Sequence, residues 1–190
     1  METTLVPWRA MRATSPRLGA TALGLVVITL ALSASPAAAA SHGPLRLSPQ
    51  GFGPIHFGMD ADAAEAALGR PIEDNPSING CGFWEAGGLT NGVGLTTFEG
   101  RLGYALLYKR GPKTTRGIEV GDGLNRLRHR YRGRLHRGRS ASLGAADLRL
   151  FSSEHVSGAT YELEFDIVKG RVAFIGAGTR HTIETFGECA

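Results

Sequence analysis

The chain has 190 residues, 42% of them hydrophobic, with 21 Lys and Arg against 17 Asp and Glu for a formal net charge of +4. That length can bury a substantial core, as one domain or two close half-domains. So small a net charge excludes a protein that selects partners by overall charge, and directs attention to where charge is concentrated.

Residues 1–40 read as a signal peptide. Arg9, Arg12 and Arg17 form a positive n-region, residues 18–32 are an apolar run short for a membrane span, and Ala38, Ala39 and Ala40 supply a cleavage site, so cleavage is expected after Ala40. No Cys follows the apolar run, which excludes lipid attachment there, and no Arg-Arg pair precedes it, which favours ordinary unfolded export. Loss of Arg9, Arg12, Arg17 and Glu2 takes the 21 basic and 17 acidic residues to 18 and 16, a net charge of +2. The expected location is outside the cell, with envelope association left open. In an exported chain the two cysteines, Cys81 and Cys189, default to a disulfide tying the first half to the last turn. Free thiols or a metal pair are the alternatives, and two ligands so far apart with no CxxC speak against metal.

After a polar lead-in over 41–50, Pro54 opens a short edge strand over 54–57. Gly58 turns the chain, Asp60 caps a helix over 61–68, and Gly69 with Pro71 beyond it ends that helix. Residues 71–80 read as loop, and 83–85 as a short strand. Residues 93–98 and 101–108 alternate around a tight turn at Glu99-Gly100. Residues 109–116 make a polar linker. Asp122 then caps a second helix with Leu124, Leu127 and Tyr131 on one stripe. Strands follow over 148–151 and 160–166, the second with Tyr161, Leu163 and Phe165 on one face and Glu162, Glu164 and Asp166 on the other. Lys169-Gly170 is a hairpin turn into a last strand over 171–177.

Two blocks recur in order. Ile55, Phe57, Gly58, Ala61, Ala64 and Leu68 match Ile118, Val120, Gly121, Leu124, Leu127 and Tyr131 at an offset of 63, and residues 100–104 match 170–174 at an offset of 70. The expected fold is therefore α+β: a tandem repeat of a helix plus a three-stranded antiparallel meander, over 41–112 and 113–190, packed as one domain with helices on one sheet face. The other face would stay open for binding.

With these residues in view, Gly53-Pro-Ile-x-Phe-Gly-Met, the short capped helix, Cys81, Gly117-Ile-x-Val-Gly-Asp and the final Glu-Cys-Ala resemble exported proteins of high-GC Gram-positive bacteria. Those share the two-unit architecture of the beta-lactamase inhibitory protein, each unit similar to the small outer-membrane lipoprotein fold of the BamE type. The resemblance implies a concave sheet for protein binding. The turn that would correspond to the inhibitor's acidic hairpin, residues 86–92, has no acid, with Glu85 only at its edge, so the resemblance does not carry over beta-lactamase as the target.

The chain has no HExxH, GxSxG, P-loop or complete GxGxxG, so no catalytic residue, cofactor or metal is expected and the protein reads as non-enzymatic. Ser152-Ser153-Glu154-His155 places triad residue types side by side, where a triad needs them to converge in space. Arg126, Arg128, Arg130, Arg132, Arg134, Arg137 and Arg139 fall within fourteen residues, giving the second helix a basic back that could dock on anionic wall polymer, lipid headgroups or an acidic partner. Nucleic acid is the weakest of these options, since only Tyr131 interleaves and the helix stripe claims it. Trp84 and Phe98 are the aromatics expected on the open face: Trp84 because its neighbour Phe83 must point the other way, and Phe98 because it is out of phase with Val93 and Leu95. The expected function is a secreted protein binding a macromolecule through its open sheet face. The alternative is an envelope-associated structural protein docked through the Arg-rich helix.

Overall fold

A computed structural model describes residues 44–76, 80–86, 88, 91–138 and 146–185. The elements in order are β1 (Arg46–Ser48), β2 (Gly51–Phe52), β3 (Ile55–His56), α1 (Ala61–Leu68), β4 (Ile72–Pro76), β5 (Cys81–Ala86), β6 (Val93–Phe98), β7 (Arg101–Leu107), β8 (Lys113–Thr114), α2 (Leu124–Arg130), β9 (His136–Arg137), β10 (Leu148–Val156), β11 (Ala159–Val168), β12 (Arg171–Thr179) and α3 (Arg180–Thr185). They form a four-stranded sheet, β3-β2-β1-β8, and an eight-stranded sheet, β4-β5-β6-β7-β12-β11-β10-β9. Every pairing in the larger sheet is antiparallel, while β1 and β8 pair in parallel.

Local chemistry explains the joints. The pairs Glu99-Gly100, Ser157-Gly158 and Lys169-Gly170 all hold positive φ, the signature of the type I′ turn that suits the twist of a hairpin. The Asp60 carboxylate accepts from the Ala63 amide at 3.0 Å and caps α1, and Gly69 closes it at φ 66. The Glu65 side chain then accepts from the Ile72 amide at 2.7 Å, tying the helix exit to β4. Asp122 is not the cap of α2: the N-cap is Gly123, with no side-chain bond. The Asp122 carboxylate instead accepts from the Glu119 amide at 3.1 Å and pairs with Arg126 at 3.3 Å.

One face of the large sheet, called inner below, shares the core with the small sheet, α1 and α2. Leu47, Phe52 and Ile55 from the small sheet, Ala64 and Leu68 from α1, and Leu127 of α2 with its C-cap Tyr131 all pack with Leu95, Leu107, Phe165 and Ile175. Tyr131 meets Phe165 edge-on with ring centres 5.0 Å apart, which adds geometric preference to the burial. The outer face carries α3, whose Ile183 packs with Tyr104 and Phe151.

The expected helix-plus-meander repeat is not the architecture. Strands dominate the described residues, among which the helices are short, at 8, 7 and 6 residues. Hydrogen bonds between β7 and β12 fuse the strands into one eight-stranded sheet, and the parallel β1–β8 pair builds a second sheet. The helices do not share one face, because α3 lies opposite α1 and α2. The segment expected as loop over 71–80 contains β4, held by β5 with Ile72 opposite Ala86. The expected lead-in over 41–50 contains β1, whose Leu47 is fully buried. The recurrence at offset 63 covers a turn and the helix that follows it, which starts at Ala61 in α1 and at Leu124 in α2. Gly58 (φ 92) donates to the Leu102 carbonyl and Gly121 (φ 90) to the Val172 carbonyl, both at 2.7 Å. It does not extend to repeated units, and the resemblance to the beta-lactamase inhibitory protein and to the BamE-type unit is corrected with it.

Candidate binding face

Strand alternation decides which side chains reach the outer face. Register places Phe83 of β5, Gly94 and Thr96 of β6, Tyr104 and Leu106 of β7, Phe174 and Gly176 of β12, and Glu164 and Asp166 of β11 on that face. With Tyr108, these residues line a groove of about 280 Å³. Among the described residues, the exposed large hydrophobic side chains are Phe83 at 44%, Tyr108 at 37% and Phe174 at 37%, and all three belong to this groove. Beyond Tyr104 the same face carries α3, where the Thr182 hydroxyl donates to the Gly103 carbonyl at 3.0 Å.

Glycines make the groove. Tyr104 packs against Gly176 so closely that a Cβ there would collide with its ring and hydroxyl. At Gly94 a Cβ would meet only Leu106 Cβ at 3.8 Å and Tyr108 Cε1 at 4.0 Å, so the missing side chain leaves open space.

The three outward acids of β11 are buried, with Glu162 at 5%, Glu164 at 2% and Asp166 at 4% exposure. Buried carboxylates need partners. Arg149 on β10 supplies them for two, standing 3.0 Å from Asp166 and 3.6 Å from Glu164. Glu162 is met by Arg180 at 2.8 Å and by the Ser153 hydroxyl at 2.8 Å. Burial, followed by repulsion from Glu164 and Asp166, holds the Tyr104 phenol well above its ordinary value of 10.0.

The site residues expected from sequence fall in different places. Trp84 is a correction: it is 2% exposed and packs in the inner core, opposite Leu95, while Phe83 is the aromatic that points outward. Phe98 does reach the outer face, yet it is half-buried over Gly103 beside the Tyr104–Ile183 cluster and does not line the groove. Arg126, Arg128, Arg130, Arg132 and Arg134 are exposed on and just after the helix that covers the inner face, and Arg137 is exposed on the edge strand β9, so the structure does not bring them to the groove. Arg139, Cys189 and residues 1–43 lie outside the described residues. Cys81 is 6% exposed and is not a free thiol.

Ser152, Ser153, Glu154 and His155 alternate between faces and do not converge. Ser152 is buried, and His155 Nδ1 lies 2.9 Å from the Thr160 hydroxyl. Ser153 has His136 Nε2 at 3.5 Å, but Glu162 accepts from the serine itself and lies 3.9 Å from that same Nε2, not behind Nδ1, which is the wrong order for nucleophile activation. Among the described residues no three His, Cys, Asp or Glu are placed to hold a metal, and no helix is long and apolar enough to cross a membrane.

No family model matches the chain, and no curated protein matches it. Among solved structures, an extracellular protein containing a SCP domain from Bacillus anthracis str. Ames is similar at 15% identity and a TM-score of 0.44. The match covers 68% of this chain and spans 46% of that one. None of these comparisons restores the resemblance drawn from the sequence.

Proposed function

We propose that this is an exported, non-enzymatic binding protein that holds a macromolecular partner against the outer face of its eight-stranded sheet. The observation that carries this reading is the convergence of Phe83, Tyr108 and Phe174 on one groove. Large apolar side chains scattered singly over a surface need no explanation, whereas three sharing one concave site are what a partner's anchor residue fits. Export rests on the Arg9–Arg17 n-region, the apolar run and the alanines at 38–40, and it suits a disulfide between Cys81 and Cys189.

A second reading has its own support: Arg128, Arg130, Arg132, Arg134 and Arg137 are all exposed within ten residues. They would dock the protein on anionic wall polymer or lipid through the layer that lies away from the groove.

Salt separates the two. The test is capture from envelope and culture-fluid extracts of the producing cell on the immobilised exported protein, eluted in a salt ladder. A protein held at high salt and lost from a Phe83→Ala/Phe174→Ala variant with unchanged melting supports the groove. Material released at modest salt, indifferent to that variant and lost when the five arginines become Gln, supports the second reading. Retention unaffected by either variant overturns both.

A further inference from the structure

We infer that a cleft at the end of α2 binds the phosphate of a polyol phosphodiester through Arg116, Arg134 and Ser152. This rests on the second reading above, docking through the arginine-rich layer, and names the ligand and the place that selects it.

The cleft holds about 170 Å³ where the end of α2, the turn after β8 and strand β10 meet. Arg116 and Arg134 both line it and both are exposed. Among the described residues no carboxylate forms an ion pair with either. Arg116 is held in place: its Cζ lies 5.4 Å from the ring centre of Tyr131, and its Nη1 reaches the Arg130 carbonyl at 3.5 Å. Ser152 adds a donor of another kind. It is 6% exposed and stands opposite Leu163, which also lines the cleft, so its hydroxyl lies on the cleft's side of the sheet. That hydroxyl has no hydrogen-bond partner among the described residues. An unpartnered hydroxyl on so buried a residue calls for an acceptor from outside the chain.

The donors converge from three elements, which suits the spread oxygens of a phosphate better than the in-plane lone pairs of a carboxylate. Glu154, exposed on the rim, sets the charge. Two arginines less one glutamate leave the cleft a formal charge of +1, which balances the single charge of a phosphodiester. A phosphomonoester brings about −1.5 to −2 and meets repulsion from Glu154. The Glu154 carboxylate also accepts from a hydroxyl beside the phosphate, which a polyol ester supplies.

The test is NMR titration of the exported protein at fixed ionic strength with glycerophosphoglycerol, dimethyl phosphate, glycerol 3-phosphate and glycerate. Glycerophosphoglycerol is expected to bind tightest. Arg134→Gln, with unchanged melting, should weaken it about tenfold, and Ser152→Ala should weaken it several-fold. Arg128→Gln/Arg132→Gln removes two exposed charges outside the cleft and should change binding by less than about twofold. Equal weakening by Arg134→Gln and by that pair overturns the cleft while the second reading stands as a diffuse arginine surface. Equal binding of dimethyl phosphate, glycerol 3-phosphate or glycerate overturns the polyol phosphodiester as ligand. Vesicles of phosphatidylglycerol and soluble poly(glycerol phosphate) separate a lipid headgroup from a polymer. Capture by either, lost in Arg134→Gln, supports the site and names the source, and capture by neither overturns its part in docking. No binding of any probe to folded protein overturns the inference, and the capture experiment with the five arginines changed to Gln then decides the second reading separately.

Discussion

Tyr104 fills the space over Gly176 that any side chain at that position would require. The contact joins β7 to β12 across the centre of the large sheet and sets the groove floor beside it. Gly176→Ala should therefore force Tyr104 or the strand to move and cost about 1–3 kcal/mol. Gly94→Ala, where a Cβ finds only ordinary contacts at 3.8 and 4.0 Å, should change stability little. Urea unfolding of the two variants checks the difference, and equal midpoints would remove Gly176 from its assigned role.

Adjacent aromatics on β5 should behave oppositely. Trp84 is buried in the inner core, so Trp84→Ala should cost about 3–5 kcal/mol. Phe83 is 44% exposed, so Phe83→Ala should fall within about 0.5 kcal/mol of the parent while losing partner retention. Thermal melting paired with the capture assay reads both effects. A folded Trp84→Ala protein of parental stability would reverse the assignment of faces.

The Tyr104 phenol links stability to alkaline pH. Its folded pKa lies above the unfolded value of 10.0, raised first by burial and then by Glu164 and Asp166. Folding disfavours the phenolate, so this contribution is fully present below pH 10.0 and is lost as pH rises from there toward the folded pKa. Tyr131 is raised in the same direction, chiefly by burial. Urea midpoints measured from pH 8 to 11 should fall more steeply for the parent than for Tyr104→Phe, which has no proton to lose.

A Cys81–Cys189 disulfide would close a loop of about a hundred residues, worth about 4–5 kcal/mol in the chain-entropy account. Intact mass under non-reducing conditions should be lower by two hydrogens than after reduction, and Cys189→Ser should melt well below the parent. A free thiol at Cys189 in the exported protein would exclude the bond.

Much of the local structure was legible because its causes are local. Asp60 and Gly69 bracket α1 through bonds to the nearest turns. The hairpin pairs at 99–100 and 169–170 announce themselves by a residue that tolerates positive φ followed by Gly. Alternation over 161–166 correctly separates Leu163 and Phe165 from Glu162 and Glu164, because the strand period needs no partner to be read. Phe83 and Trp84 show where that stops. Period two says that one of them faces inward. The pairing of Trp84 with Leu95, whose side chain already lies in the core, says which.

What the sequence by itself determined is thus the turns, the first helix cap, the strand phases and a run of arginines on one helix back. Tertiary structure alone decided that β4 is a strand, since its bonds are to β5, and that β1 finds β8 with partners 67 residues apart, Arg46 opposite Lys113. It also decided that α3 covers the outer face, that three outward acids are buried under Arg149 and Arg180, and that Phe83, Tyr108 and Phe174 share one groove. The physical reason is the same in each case: hydrogen bonds, ion pairs and burial between distant segments leave no period and no cap in the sequence near either partner.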